Sequence, residues 1–175
     1  AAVSGPLFGG LPLDLAAAGK ADARAELAAS GHSAAALLAT LEGTVAFGAR
    51  GGILNGYDLG AVQAASALPD LSEAEAALRR ALEGGGATEF ERLEGTARFA
   101  DGRATLGEAS VSTEGGAVAS ATGSVDVGRG GALDLRVATR PVAEAPEIGL
   151  LLAGPAADPR RQPELAPFLR WRAEQ

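Results

Sequence analysis

Apolar and polar residues alternate with period two through most of the second half of the chain. In ERLEGTARFADGRATLGEASV, Leu93, Gly95, Ala97 and Phe99 fall on one face, and Glu94, Thr96 and Arg98 fall on the other. Further on, Val125 and Val127 flank Asp126, while Leu133, Leu135 and Val137 face away from Asp134 and Arg136. One apolar face at this period marks half-buried antiparallel strands. The separators ADG (100–102), TEGG (113–116) and GRGG (128–131) are turn chemistry, with glycine free to take positive φ. The pattern predicts a meander of strands near 89–99, 103–112, 117–127 and 132–139, with a fifth near 147–153.

The first half mixes periods. In LPLDLAAAGKADARAELAASG, helix propensity pulls one way, yet Ala21, Ala23, Ala25 and Leu27 alternate with Asp22, Arg24 and Glu26. Sorting onto two faces outweighs propensity here, and predicts two strands turning at Gly19-Lys20. SAAALLATL (33–41) reads as a short helix capped by Ser33, followed by a hairpin turning near Arg50-Gly51-Gly52. A helix near 58–66 starts on Asp58. SEAEAALRRALEGGG is the strongest helix: Ser72 and Glu75 form a capping box, Leu78 and Leu82 share a face, and Gly84 to Gly86 stop it. The predicted fold is α+β and mostly β: a curved antiparallel sheet with two or three short inserted helices, the main insert spanning about 58–83.

One stretch is written twice. LEGTVAF at 41–47 returns as LEGTARF at 93–99, five of seven letters identical at a spacing of 52. A catalytic repeat would duplicate a reactive side chain at a strand end. This one duplicates Leu, Gly, Thr and Phe in register along a strand, which points to architecture: Leu and Phe fill an apolar face, and Gly permits close approach or twist.

Composition narrows the chemistry. The 175 residues suit one domain, or two tightly joined lobes, with a core large enough to fold without staples. The net charge of −7 argues against nucleic acid, which needs a basic footprint. With no cysteine, disulfides and thiolate metal sites are excluded. Methionine is absent even at position 1, so the chain reads as a processed product or a segment of a longer protein. No stretch approaches the roughly 18 apolar residues of a spanning helix. The single histidine, His32, would have to serve any nucleophile–base pair, but no G-x-S-x-G elbow accompanies it. Neither a calcium-loop pattern nor a phosphate loop occurs, and no cofactor is implied.

The ordered set GHSAAALLATLEGTVAFGARGGILNGYDLGAV, TEFERLEGTARFADGRATLGEASV and GPAADPRRQPEL resembles the carboxy-terminal region of AsmA-family proteins. The matching positions are Leu41 and Gly43; Gly56, Asp58 and Leu59; Thr88, Phe90, Leu93 and Gly95; and Gly154, Asp158, Pro159, Pro163 and Glu164. The resemblance covers about 11–165, although GSVDVG replaces a commoner G-x-G-x-V run. It implies an envelope protein of a Gram-negative bacterium, anchored in the inner membrane by a helix this chain lacks. It also implies a periplasmic β-groove that moves phospholipid towards the outer membrane and serves outer-membrane biogenesis, with no catalytic residues.

The expectation is a non-enzymatic domain over 1–159 followed by a basic, aromatic tail over 160–175. Val45, Phe47, Leu54, Phe99, Leu106, Val111, Val125, Leu133, Leu135 and Val137 are the lipid-groove candidates, and the inserted helix at 72–82 makes the domain either a conduit or a cap. In the tail, Phe168, Arg170, Trp171 and Arg172 are candidates for contact with a membrane surface or an envelope partner, against a plainer reading in which the rings cover one end of the sheet. The competing function is a protein-docking module for outer-membrane assembly that never touches lipid.

Overall fold

The structure is a computed structural model that describes residues 14–127 and 131–175, with side chains from Lys20 onward. Eight strands form one open, curved sheet in strict sequence order, every neighbouring pair antiparallel. They are β1 (Asp14–Ala28), β2 (Glu42–Asn55), β3 (Ala87–Ala100), β4 (Arg103–Ser112), β5 (Val118–Asp126), β6 (Ala132–Thr139), β7 (Ile148–Pro155) and β8 (Arg160–Glu164). Helix α1 (Ala34–Ala39) joins β1 to β2. Helices α2 (Leu59–Ser66) and α3 (Leu71–Glu83) lie between β2 and β3, and α4 (Ala166–Ala173) closes the chain. The mostly-β α+β architecture and the five strands read from alternation stand, with ends shifted by a residue or two. The GRGG turn falls, apart from Gly131, outside the described residues.

Two predicted turns are instead irregularities within long strands. Strand β1 does not turn at Gly19-Lys20. It runs along β2 from Asp14 opposite Asn55 to Ala28 opposite Glu42, with the register shifting between Ala17 and Lys20. The extra residue is absorbed as a bulge, because β2 offers a partner along its whole length. Nor does β2 turn at Arg50-Gly51-Gly52. Gly51 takes φ of 68°, and the inward side passes from Val45, Phe47 and Ala49 to Gly52 and Leu54. Strand β3 switches at the same level, from Leu93 to Phe90 and Thr88, so Gly52 still faces Phe90 and the register survives. Glycine here kinks two strands together; it does not reverse one.

Helices α1, α2 and α3 start where side chains cap them. Ser33 accepts from Ala36 N (3.1 Å) and Asp58 from Ala61 N (2.8 Å), as the sequence predicts. For α3 the cap is Asp70, not Ser72: Asp70 Oδ1 accepts from Glu73 N at 2.8 Å, and Ser72 lies inside the helix. Asp70 satisfies the same three-residue spacing two positions earlier, with a carboxylate that also complements the helix dipole. Gly84 N donates to the Arg80 carbonyl at 2.9 Å, and Gly85 and Gly86 follow with positive φ, ending the helix.

The core lies between α2, α3 and α4 and the β6–β8 side of the sheet. Leu59, Val62, Leu78, Leu82, Ile148, Leu150, Leu152 and Phe168 are almost wholly buried. Each such side chain stabilises the fold by about 1.5–3 kcal/mol relative to exposure. Helix α3 packs on β8 and α4, and α2 packs on α3 and β3. Residues 160–175, read from sequence as a tail, thus form the last strand and helix of this assembly.

Candidate functional site

The two LEGT copies pair with each other. Gly43 faces Phe99, Val45 faces Ala97, and Phe47 faces Gly95, so each copy's glycine lies opposite the other's phenylalanine. A Cβ on Gly95 would stand 2.7 Å from Phe47 Cζ and 3.0 Å from Ala109 Cβ. Gly43, at φ of 133°, would carry a Cβ 1.9 Å from the Glu26 carbonyl oxygen. The repeat is therefore a self-complementary ladder in which glycine makes room for an aromatic ring on one side and a neighbouring backbone on the other.

This ladder forms one end of the sheet face that carries the core. The ten groove candidates share that face but divide in two. Val111, Leu133, Leu135 and Val137 are buried, at most 7% exposed, under the helices. Leu54, Leu106 and Val125 are half-buried and pack against the edge of the core. Val45, Phe47 and Phe99 are half-buried outside it, and β1 extends their strip with Ala23, Ala25 and Leu27. Leu27, opposite Gly43, is 45% exposed. Among the described residues, the inner face is plugged on the β6–β8 side and has no helix over it where β1–β3 reach the repeat.

The tail candidates separate as well. Phe168 is buried, with its ring 5.9 Å from Trp171, which packs half-buried against the core. Arg172 donates to the carbonyls of Ser66 and Leu68, at the end of α2. Of the four, Arg170 alone is exposed. Phe168 is therefore part of the core, and contact with a membrane through it would require α4 to leave its seat.

A second arginine does the same for α3, and the sequence did not single it out. Arg161 Nε donates to the Leu82 carbonyl at 2.9 Å, and Nη2 donates to the Gly56 carbonyl at 2.6 Å. Burial lowers its pKa from the usual arginine value. Two helix C-termini, which carry partial negative charge, are each closed by a guanidinium from the end of the chain. Thr88 adds a buried link, accepting from Leu59 N at 3.0 Å and donating to the Tyr57 carbonyl. The Tyr57 hydroxyl itself is buried without a partner among the described residues, and burial raises its pKa.

The remaining polar groups form a structural network. Arg136 bonds Glu164 at 2.7 Å and Glu147 at 3.0 Å, and the bond to Glu164 raises its pKa. Glu164, the last position of the AsmA-like pattern, lies over Gly149, where a Cβ would meet its Oε2 at 2.6 Å. His32 is exposed at the start of α1. Among the described residues, no group of three His, Cys, Asp or Glu side chains could hold a metal ion. No helix among them is long and apolar enough to cross a membrane. In comparisons with known proteins, no family model, no curated protein and no solved structure matches the chain.

Proposed function

We propose that this chain is the end of an AsmA-like lipid groove: a periplasmic, non-enzymatic domain that shields phospholipid acyl chains along its inner face and stops them beneath the helices. The observation that carries this reading is the strip of Leu27, Val45, Phe47 and Phe99, over which no helix lies among the described residues, continuous with a face that α2 and α3 close. Acyl chains on that strip are driven there by apolar burial, about 25 cal/mol per Å², with headgroups left in water and no covalent step. The plug makes the domain a cap rather than a conduit. In this reading it belongs to a protein anchored in the inner membrane of a Gram-negative bacterium and serves outer-membrane biogenesis.

The second reading, a protein-docking module without lipid contact, draws on α1. Its Leu37 and Leu38 are 42% and 45% exposed, and no formal charge occurs between Glu26 and Glu42. A fluorescent long-chain fatty-acyl probe separates the two. Phe47→Asp and Phe99→Asp are expected to weaken its binding about tenfold or more, the equivalent of one lost aromatic contact, while Leu37→Asp leaves it unchanged. Equal binding by all four proteins, or none by the wild type, would overturn the groove.

A further inference from the structure

The two edges of the sheet are built differently. Strand β8 is five residues long and contains Pro163, both devices that discourage further pairing. Strand β1 is fifteen residues long, contains no proline, and pairs with β2 without interruption from Lys20 to Ala28. Among the described residues its far side is an open backbone edge, since β1 ends the sheet they form.

Along that segment, the outer face reads Lys20, Asp22, Arg24, Glu26, four exposed side chains of alternating sign. Among the described residues, none of the four takes part in an ion pair. Lys20 lies opposite Arg50 on β2, a like-charge pair that leaves it in want of a carboxylate. The order of signs is its own complement when reversed. A second β1 laid antiparallel about Ala23 sets Lys20 against Glu26 and Asp22 against Arg24, twice over by symmetry. The inner face then matches small on small, with Ala21 against Ala25 and Ala23 against its own copy.

Neighbouring registers fail. A shift of two residues in one direction sets Asp22 on Asp22 and Lys20 on Arg24; in the other it sets Arg24 on Arg24 and Asp22 on Glu26. A shift of one residue puts the charged rows on opposite faces. Parallel pairing in register puts every charge beside its own kind. Attraction in one alignment and repulsion in the adjacent ones is how a strand edge selects a single partner.

We propose that the β1 edge is a homodimer interface, in which the outward-facing row Lys20–Asp22–Arg24–Glu26 pairs antiparallel with the same row of a second copy and joins two sheets into one. The interface is isologous, so each substitution acts at two symmetric points. It is independent of what the inner face holds.

Sedimentation analysis of the full chain across a concentration series tests it. The wild type is expected to show a monomer–dimer equilibrium that weakens as salt rises. Lys20→Glu turns two attractive contacts into two repulsive ones and is expected to weaken dimerisation about tenfold or more. Lys20→Glu combined with Glu26→Lys restores the complement and with it the dimer, while circular dichroism shows all three proteins folded. A wild type that stays monomeric at every concentration, a dimer undiminished by Lys20→Glu, or a double variant that does not recover would each overturn the proposal.

Discussion

Gly123→Ala is expected to destabilise the fold by about 3–5 kcal/mol, near the upper end for a single substitution and a large share of a domain's total stability. Gly123 sits in β5 between Leu106 and Leu135 at φ of 126°, a conformation that L side chains rarely adopt. A Cβ there would stand 2.0 Å from the Asp134 carbonyl oxygen and 2.8 Å from Leu135 Cα. Both obstacles are backbone of the paired strand, so relief requires β5 and β6 to separate. Gly51→Ala is the internal comparison: its φ is 68°, but nothing lies within 4 Å of the added methyl, so only the backbone penalty of about 1–2 kcal/mol applies. Urea denaturation of both variants measures the difference. Equal midpoints would mean that β5 and β6 are not packed as described.

The second large effect is at Arg161. Arg161→Ala strips donors from the carbonyls of Leu82 and Gly56, in a half-buried setting where an orphaned polar group costs about 1–3 kcal/mol. A loss of about 2–4 kcal/mol is expected. Arg161→Lys loses roughly half of that, because an ammonium cannot span both carbonyls as the guanidinium does. Hydrogen exchange locates the effect: amides of α2 and α3 are expected to lose protection before those of β6 and β7. A loss no larger than the about 0.5 kcal/mol of an ordinary surface change would show that the helical plug does not depend on this arginine.

Much of the fold is legible in the alternation of residues, and the misses share a cause. Leu133, Leu135 and Val137 identify their strand and its inner face with no outside information. The Gly19-Lys20 and Gly51-Gly52 positions do not identify turns, because the same glycine chemistry makes a bulge or a kink when a partner strand continues alongside. Whether it continues is a non-local fact. The cap of α3 is ambiguous for a local reason, since Asp70 and Ser72 both precede a glutamate by three residues and the folded helix takes the earlier pair.

The candidate site was legible to the same depth. Sequence placed Val45, Phe99 and Val137 on one face, but it could not say that helices cover Val137 and leave Val45 half-open. The basic character of the tail, from Arg160, Arg161, Arg170 and Arg172, is legible as charge. That Arg161 and Arg172 spend it on helix carbonyls is not, since a backbone acceptor leaves no letter in the sequence. The LEGT repeat shows both sides of this limit: its duplication was plain, whereas the crossing of each glycine with the other copy's phenylalanine needed the register.

The central claim, that the strip of Leu27, Val45, Phe47 and Phe99 holds acyl chains, is tested most directly by native mass spectrometry of the gently purified 175-residue chain, with lipid extraction of the same sample. The account predicts a stoichiometric phospholipid adduct on the wild type that disappears in Phe47→Asp. A bare mass in repeated gentle preparations, or an adduct indifferent to Phe47, would contradict it.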